Sequence, residues 1–310
     1  MLVSNQNIIS INGKCSVPAK TDALKMSDKI PCRDPFIMLY DNNYYLYKTE
    51  DNKIKCMVSK DLEMWSEPQV VFEPPADFDG IKDLFWAPEC HFYKGNFYIF
   101  TSVFSLKYQR HIISVYRADN PLGPFVDIAG GRITPENWDA IDGTLYVDED
   151  GQPWMVFVHE WVSMPDKNGS MAAAKLSEDF SHFISTPIEL FFAKEPKWAV
   201  KGVTDGPYIY RTDGNLEMIW SNFNENGYVV AVSRSSNGKI DGKWCHREEL
   251  LYAKGLKPGF DCDGGHAMIF PLKDGGFKLS LHLPNKAVDD NFEHIALFDL
   301  IEKNGTIEIV

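Results

Sequence analysis

Apolar and polar residues alternate in short runs along nearly the whole chain, and the runs come in pairs. Five segments share one layout: an apolar run, a polar turn and a second apolar run. They are DPFIMLYDNNYYLYKTE from Asp34, PECHFYKGNFYIFTS from Pro88, IDGTLYVDEDGQPWMVFVHEW from Ile141, TDGPYIYRTDGNLEMIWSNF from Thr204 and GGHAMIFPLKDGGFKLSLHL from Gly264. Their turns, Asp-Asn-Asn, Lys-Gly-Asn, Glu-Asp-Gly, Thr-Asp-Gly and Lys-Asp-Gly, are hairpin chemistry, because Asn and Gly accept positive φ at little cost. Third runs follow, as in IKCMVSKD, HIISVYRAD, SMAAAKLSED, YVVAVSRSS and HIALFDL, and several units end at an aromatic edge in KDLEMWSEP, DNPLGPF and KIDGKW.

The units recur about every 50 to 65 residues and consume almost the whole chain. Repeated four-stranded units with no helical periodicity between them predict an all-β fold, a five-bladed β-propeller spanning residues 1–310 as one domain. A β-sandwich would also alternate, but would not repeat one layout five times. Two segments compete to complete the ring: the N-terminal NIISING could pair with the last blade, or TIEIV at the C-terminus could be that blade's own outer strand.

Composition narrows the partners. With 31 Lys and Arg against 44 Asp and Glu, the formal charge of −13 repels phosphate backbones and argues against nucleic acid, whereas a neutral polysaccharide meets no such repulsion. The six cysteines, at 15, 32, 56, 90, 245 and 262, form no CxxC pair and are too sparse for a disulfide framework, so they read mostly as buried thiols. No stretch has the pattern of a signal peptide or reaches transmembrane length, so no membrane partner is expected. As written the sequence is expected to be cytoplasmic; a leader removed beforehand would make the protein periplasmic or secreted.

The repeat also predicts a site. The first strand of each propeller blade lines the central channel, so matching positions should meet around one rim. Those positions are read as Asp34, Glu89, Asp142, Asp205 and His266. A single Asp before a strand is ordinarily a turn residue. Four acids at matching positions are another matter, because crowded like charges raise one another's pKa and cost stability. An inverting glycosidase needs one carboxylate to activate water and one carboxylic acid to protonate the leaving oxygen, roughly 6.5–9.5 Å apart. A third acid beside the proton donor would raise and orient it. No HExxH or close His/Cys pair suggests a zinc hydrolase.

At these residues the chain resembles glycoside hydrolase family 43. The likeness runs through CRDPFIM, FWAPECH, IDGTLYVDEDGQPWMVF, TDGPYIYR and GGHAMIF, across nearly all of residues 30–300. The resemblance implies a five-bladed propeller and inverting hydrolysis of arabinose-, xylose- or galactofuranose-containing glycans. It makes Asp34 the general base and Asp142 the carboxylate that tunes the acid. The family's acid is a Glu where this chain has Asp205, one methylene shorter. Either the backbone brings Asp205 forward, or Glu160 in VFVHEW donates the proton.

The resemblance also places His266 at the axis, as a sugar contact or near a structural calcium ion held largely through waters; no cofactor is otherwise required. Glu89 is expected to shape the sugar pocket and Trp86 and Trp161 to wall it, with Tyr208 and Phe104 as weaker candidates. An α-L-arabinofuranosidase on plant cell-wall glycans is the preferred reading. A β-xylosidase, a β-galactofuranosidase and a non-catalytic glycan-binding propeller are the alternatives, the last favoured by the shortened Asp205.

Overall fold

The computed structural model describes residues 3–4 and 24–310. These form five antiparallel sheets whose principal strands run outward from the axis in sequence order, with Val3–Ser4 added beside the inner strand of blade four and Leu24–Lys25 at the outer edge of blade one. Blade one contains Phe36–Tyr40, Asn43–Glu50 and Lys53–Ser59, with the short edge strands Leu24–Lys25, Met64–Trp65 and Gln69–Phe72. Blade two is Ile81–Tyr93, Asn96–Ser105, Arg110–Ala118 and Val126–Asp127, and blade three is Ala140–Val147, Pro153–His159, Ser170–Lys175 and Ile188–Phe192. Asp205–Thr212, Asn215–Asn224, Gly227–Ser235 and Trp244–His246 make blade four. Blade five is Gly265–Pro271, Phe277–Leu283, His294–Lys303 and Thr306–Ile309. The predicted hairpin turns fall where the sequence put them, with left-handed residues at Asp41 and Asn42, Lys94 and Gly95, Gly151, Asp213 and Gly214, and Gly275. Among the described residues the one helix is a three-residue 3-10 turn, Met26–Asp28; none is long and apolar enough to cross a membrane.

The aromatic edges do structural work. Trp65, Phe125 and Trp244 are all buried, and the indole N–H groups of Trp65 and Trp244 donate to Leu62 O (3.1 Å) and Ile240 O (3.0 Å). A buried indole needs such a partner, so each ring fixes the turn before its outer strand while filling the gap between blades. Three of the predicted buried thiols, Cys32, Cys56 and Cys90, are in the core, but Cys245 is exposed and Cys262 half-buried. Cys245 sits on the short edge strand Trp244–His246, where alternation buries Trp244 and turns its neighbour outward.

TIEIV supplies the outer strand of blade five, Thr306–Ile309 pairing with His294–Lys303; NIISING lies outside the described residues. A separate short strand, Val3–Ser4, pairs with the inner strand of blade four. The ring closes through the segment ahead of blade one: Pro31 bridges His294, Ile295 N–H donates to Ile30 O (3.2 Å) and Cys32 N–H to Glu293 O (3.3 Å).

Candidate active site at the propeller axis

Four of the five inner strands are disturbed at the same place. Register shifts interrupt their pairing between Trp86 and Glu89, Ile141 and Thr144, Asp205 and Tyr208, and Gly265 and Met268. Inside each bulge sits a residue with positive φ: Ala87 (45°), Asp142 (55°), Gly206 (51°) and His266 (51°); Asp34 (50°) holds that place just ahead of Phe36–Tyr40. Bulges re-aim side chains, and left-handed non-glycine residues are strained enough to collect at functional sites. The true repeat is therefore Asp34, Ala87, Asp142, Gly206 and His266. This corrects the sequence alignment, in which Asp205 stands one residue too early and Glu89 two too late.

The bulge amides are held by the preceding blade. Asp142 N–H donates to Ser102 Oγ and His266 N–H to Ser221 Oγ, both at 2.9 Å, and the Asp34 amide lies 3.3 Å from His282 Nδ1. Ser102, Ser221 and His282 all lie on second strands. In blade three the matching residue is Val158, paired with Ile141, which accepts nothing. Gly206 N–H donates instead to Asp142 Oδ2 at 3.0 Å, so the missing hydroxyl is replaced by a site carboxylate.

These bulges open into one cavity of about 460 Å³, lined among others by Asp34, Asp142, Glu160, Asp205, His266, Trp86 and Trp161. Burial alone would raise the Asp34 carboxyl. The charge of His266 (Nδ1–Oδ1 3.2 Å), the hydrogen-bond contact with His282 (3.2 Å) and the charge of Arg33 (3.7 Å) overcome it and hold Asp34 well below the usual carboxylate range. Asp142 moves the other way, raised by burial and by the charges of Asp34 and Glu89 against the opposing pull of His266. Burial and the charge of Asp142 push Asp205 up to about 7, despite its hydrogen bond from Tyr228 Oη (2.9 Å). Burial and then Asp139 push Glu160 up to about 9. An ionised carboxyl at Asp34, a protonated one at Glu160 and a third at Asp205 poised near neutrality share the cavity, which makes an acid/base set.

The other expected residues divide. Trp86 (36% exposed) and Trp161 (39%) line the cavity as open aromatic faces. Glu89 does not: it is 4% exposed and pairs with His91 Nε2 at 3.0 Å, because two residues past the bulge its side chain turns into the blade. It acts on the site through its charge on Asp142 and His266. Tyr208 is core, and Phe104 packs its edge on His111 (5.3 Å). A calcium ion takes six to eight ligands, mostly oxygens, so one at His266 would be held largely through waters. His266 offers nitrogen, and its Nδ1 already faces Asp34 and, at 3.7 Å, Asp142.

Sequence reasoning missed Arg33, Tyr228, His282, Asp139 and His111. Arg33 stands next to Asp34, and His282 and Tyr228 occupy second and third strands, one and two strands further out than the search for axial residues reached. Gly206 tests the bulge directly. A Cβ there would meet the His266 ring at 2.8 Å, at a φ that disfavours side chains, a backbone cost of about 1–2 kcal/mol before any clash. Gly206→Ala is expected to lower thermal stability and displace His266, read as a lower Tm with a shifted His266 ring signal by NMR.

An all-β propeller with the acids Asp34, Asp142, Glu160 and Asp205 gathered in one axial cavity has the make-up of a glycosidase. The model of the glycosyl hydrolases family 43 matches residues 30–297, and the chain belongs to that family. A solved endo-arabinase from Bacteroides thetaiotaomicron is 34% identical, with a TM-score of 0.83, covering 93% of this chain and 100% of that one. An endo-1,4-beta-xylanase from the same organism is 25% identical with a TM-score of 0.76, over 91% and 95%. The extracellular exo-alpha-(1->5)-L-arabinofuranosidase of Cellvibrio japonicus is 27% identical over 49% of this chain and 46% of its own length. The chain thus matches about half the length of that relative.

Proposed function

We propose that the protein hydrolyses α-L-arabinofuranosyl linkages in an arabinose-containing polysaccharide, with inversion at the anomeric carbon. The observation that carries this is the sharing of one cavity by an Asp34 carboxylate held ionised, a Glu160 carboxyl held protonated and an Asp205 carboxyl raised to about 7. Asp34 takes a proton from the attacking water, and a carboxyl across the cavity gives one to the leaving oxygen. Asp142, bonded to the Gly206 amide and facing His266, fixes the bulge that carries Asp205 and, after burial, is the main cause that raises its carboxyl. Trp86 and Trp161 offer apolar faces to a sugar ring. The likeness to arabinan-acting relatives supports arabinose as the sugar.

The test is to incubate the protein with linear arabinan, arabinoxylan and xylan, and to follow the first product by chromatography and anomeric proton NMR. Arabinose or arabino-oligosaccharides of inverted configuration are expected. Release of xylose or xylo-oligosaccharides with arabinan left intact would move the assignment to xylan, and binding without any release would make the protein a glycan-binding propeller.

A further inference from the structure

We propose that Glu160, not Asp205, delivers the proton to the leaving sugar, and that Asp139 and His111 are the positioning residues that hold it there; this rests on the hydrolase reading above. Glu160 follows directly on the second strand of blade three, Pro153–His159. Its N–H donates to Asp139 O at 2.8 Å, so its backbone is fixed one residue past the end of the strand. Its Oε2 is buried, 3.8 Å from His111 Nδ1. That ring nitrogen lies 3.0 Å from Asp139 Oδ1, which also accepts the His111 main-chain N–H at 3.2 Å.

The support behind this group comes from three places in the chain. Asp139 N–H donates to Ser163 Oγ (2.9 Å), which donates in turn to Glu160 O (3.3 Å). The Trp86 ring lies over His111 at 4.2 Å, with the Phe104 edge at 5.3 Å. A carboxyl set between a buried carboxylate and a braced imidazole keeps a fixed direction, which is what proton delivery requires. Asp205 is placed differently. Its Oδ2 is occupied by Tyr228 Oη, and its shorter side chain begins at the mouth of the bulge.

The charged groups facing Glu160 are His111, Asp139, Asp142 and Asp205, with Arg33, Lys286 and Glu293 also lining the cavity. The three aspartates oppose its ionisation, Asp139 most strongly. In the reaction, the water oxygen bonds to the anomeric carbon as its proton passes to Asp34. The carbon–oxygen bond to the leaving sugar breaks with its electron pair on oxygen, and that oxygen takes the proton of Glu160. Solvent then receives the proton of Asp34 and restores that of Glu160.

The test compares an arabinan oligosaccharide with 2,4-dinitrophenyl α-L-arabinofuranoside, whose leaving group needs no proton. Glu160→Gln is expected to lose about 10²–10⁴-fold in kcat/KM on the oligosaccharide, far less on the aryl substrate, and to lose the alkaline limb of its pH profile. Asp139→Asn and His111→Gln, with circular dichroism matching the wild type, are expected to shift that limb on the oligosaccharide, downward for Asp139→Asn. A merely structural role would instead slow both substrates alike at every pH. The assignment is overturned if Asp205→Asn gives the leaving-group-dependent loss while Glu160→Gln slows both substrates equally. A wild type that cuts neither substrate overturns the hydrolase reading and this assignment with it.

Discussion

Asp34→Asn is expected to lower kcat/KM by about 10²–10⁴-fold on activated and unactivated arabinofuranosides alike. Water must lose its proton whatever the leaving group, so the loss should not depend on aglycone pKa. That independence separates the base from the donor within one set of assays. The pH profile adds a second check. His266, His282 and Arg33 hold the Asp34 carboxyl down, so in the wild type the acidic limb should lie below the ordinary Asp value of about 3.9. An acidic limb near pH 6, or a loss confined to poor leaving groups, would remove Asp34 from the base role.

Away from the site, Arg234→Ala is expected to cost about 3 kcal/mol, or on the order of 6 °C in Tm for a chain of this size. Glu217 is fully buried in blade four, and Arg234 grips its Oε1 twice, from Nη2 at 2.8 Å and Nε at 3.1 Å. The same Nη2 donates to Gly305 O at 2.7 Å, the oxygen that also accepts Thr212 Oγ1 at 2.7 Å. Truncation would leave a buried carboxylate with neutral hydroxyl neighbours only, among them Thr212 Oγ1 at 3.0 Å, and would loosen the last hairpin of blade five. Arg234→Lys should recover only part of the loss, since an ammonium has no planar fork. An unchanged Tm in Arg234→Ala would show that the fork carries no stability.

The blades were legible in the sequence because their cause is local: period-two alternation and turns rich in Asn, Asp and Gly. Asp34, Asp142, Asp205 and Glu160 were legible as acids near strand ends. The phase of the inner strands was not, because a bulge inserts a residue without changing composition, so Glu89 was counted as axial although it faces His91. Nor were Asp139 and His111, which lie outside the matching positions: Asp139 meets Glu160 across the inner hairpin of blade three, and His111 joins them only when blades two and three pack together. Ser102, Ser221 and His282 did leave a trace: each is a polar residue within a largely apolar second strand, in FTSVF, WSNF and LHL.

Bracing by neighbours has a consequence for how the site comes into being. Asp34 is the first of these groups to be synthesised, yet the residues that set its charge and direction, His266 and His282, belong to the last blade. A chain with four finished blades would carry most of the acids and no working base. Turnover therefore reports on the joining of the two ends of the chain. Anything that parts the first blade from the fifth, such as loss of the pairing of Pro31 with His294, should silence the protein well before its sheets melt.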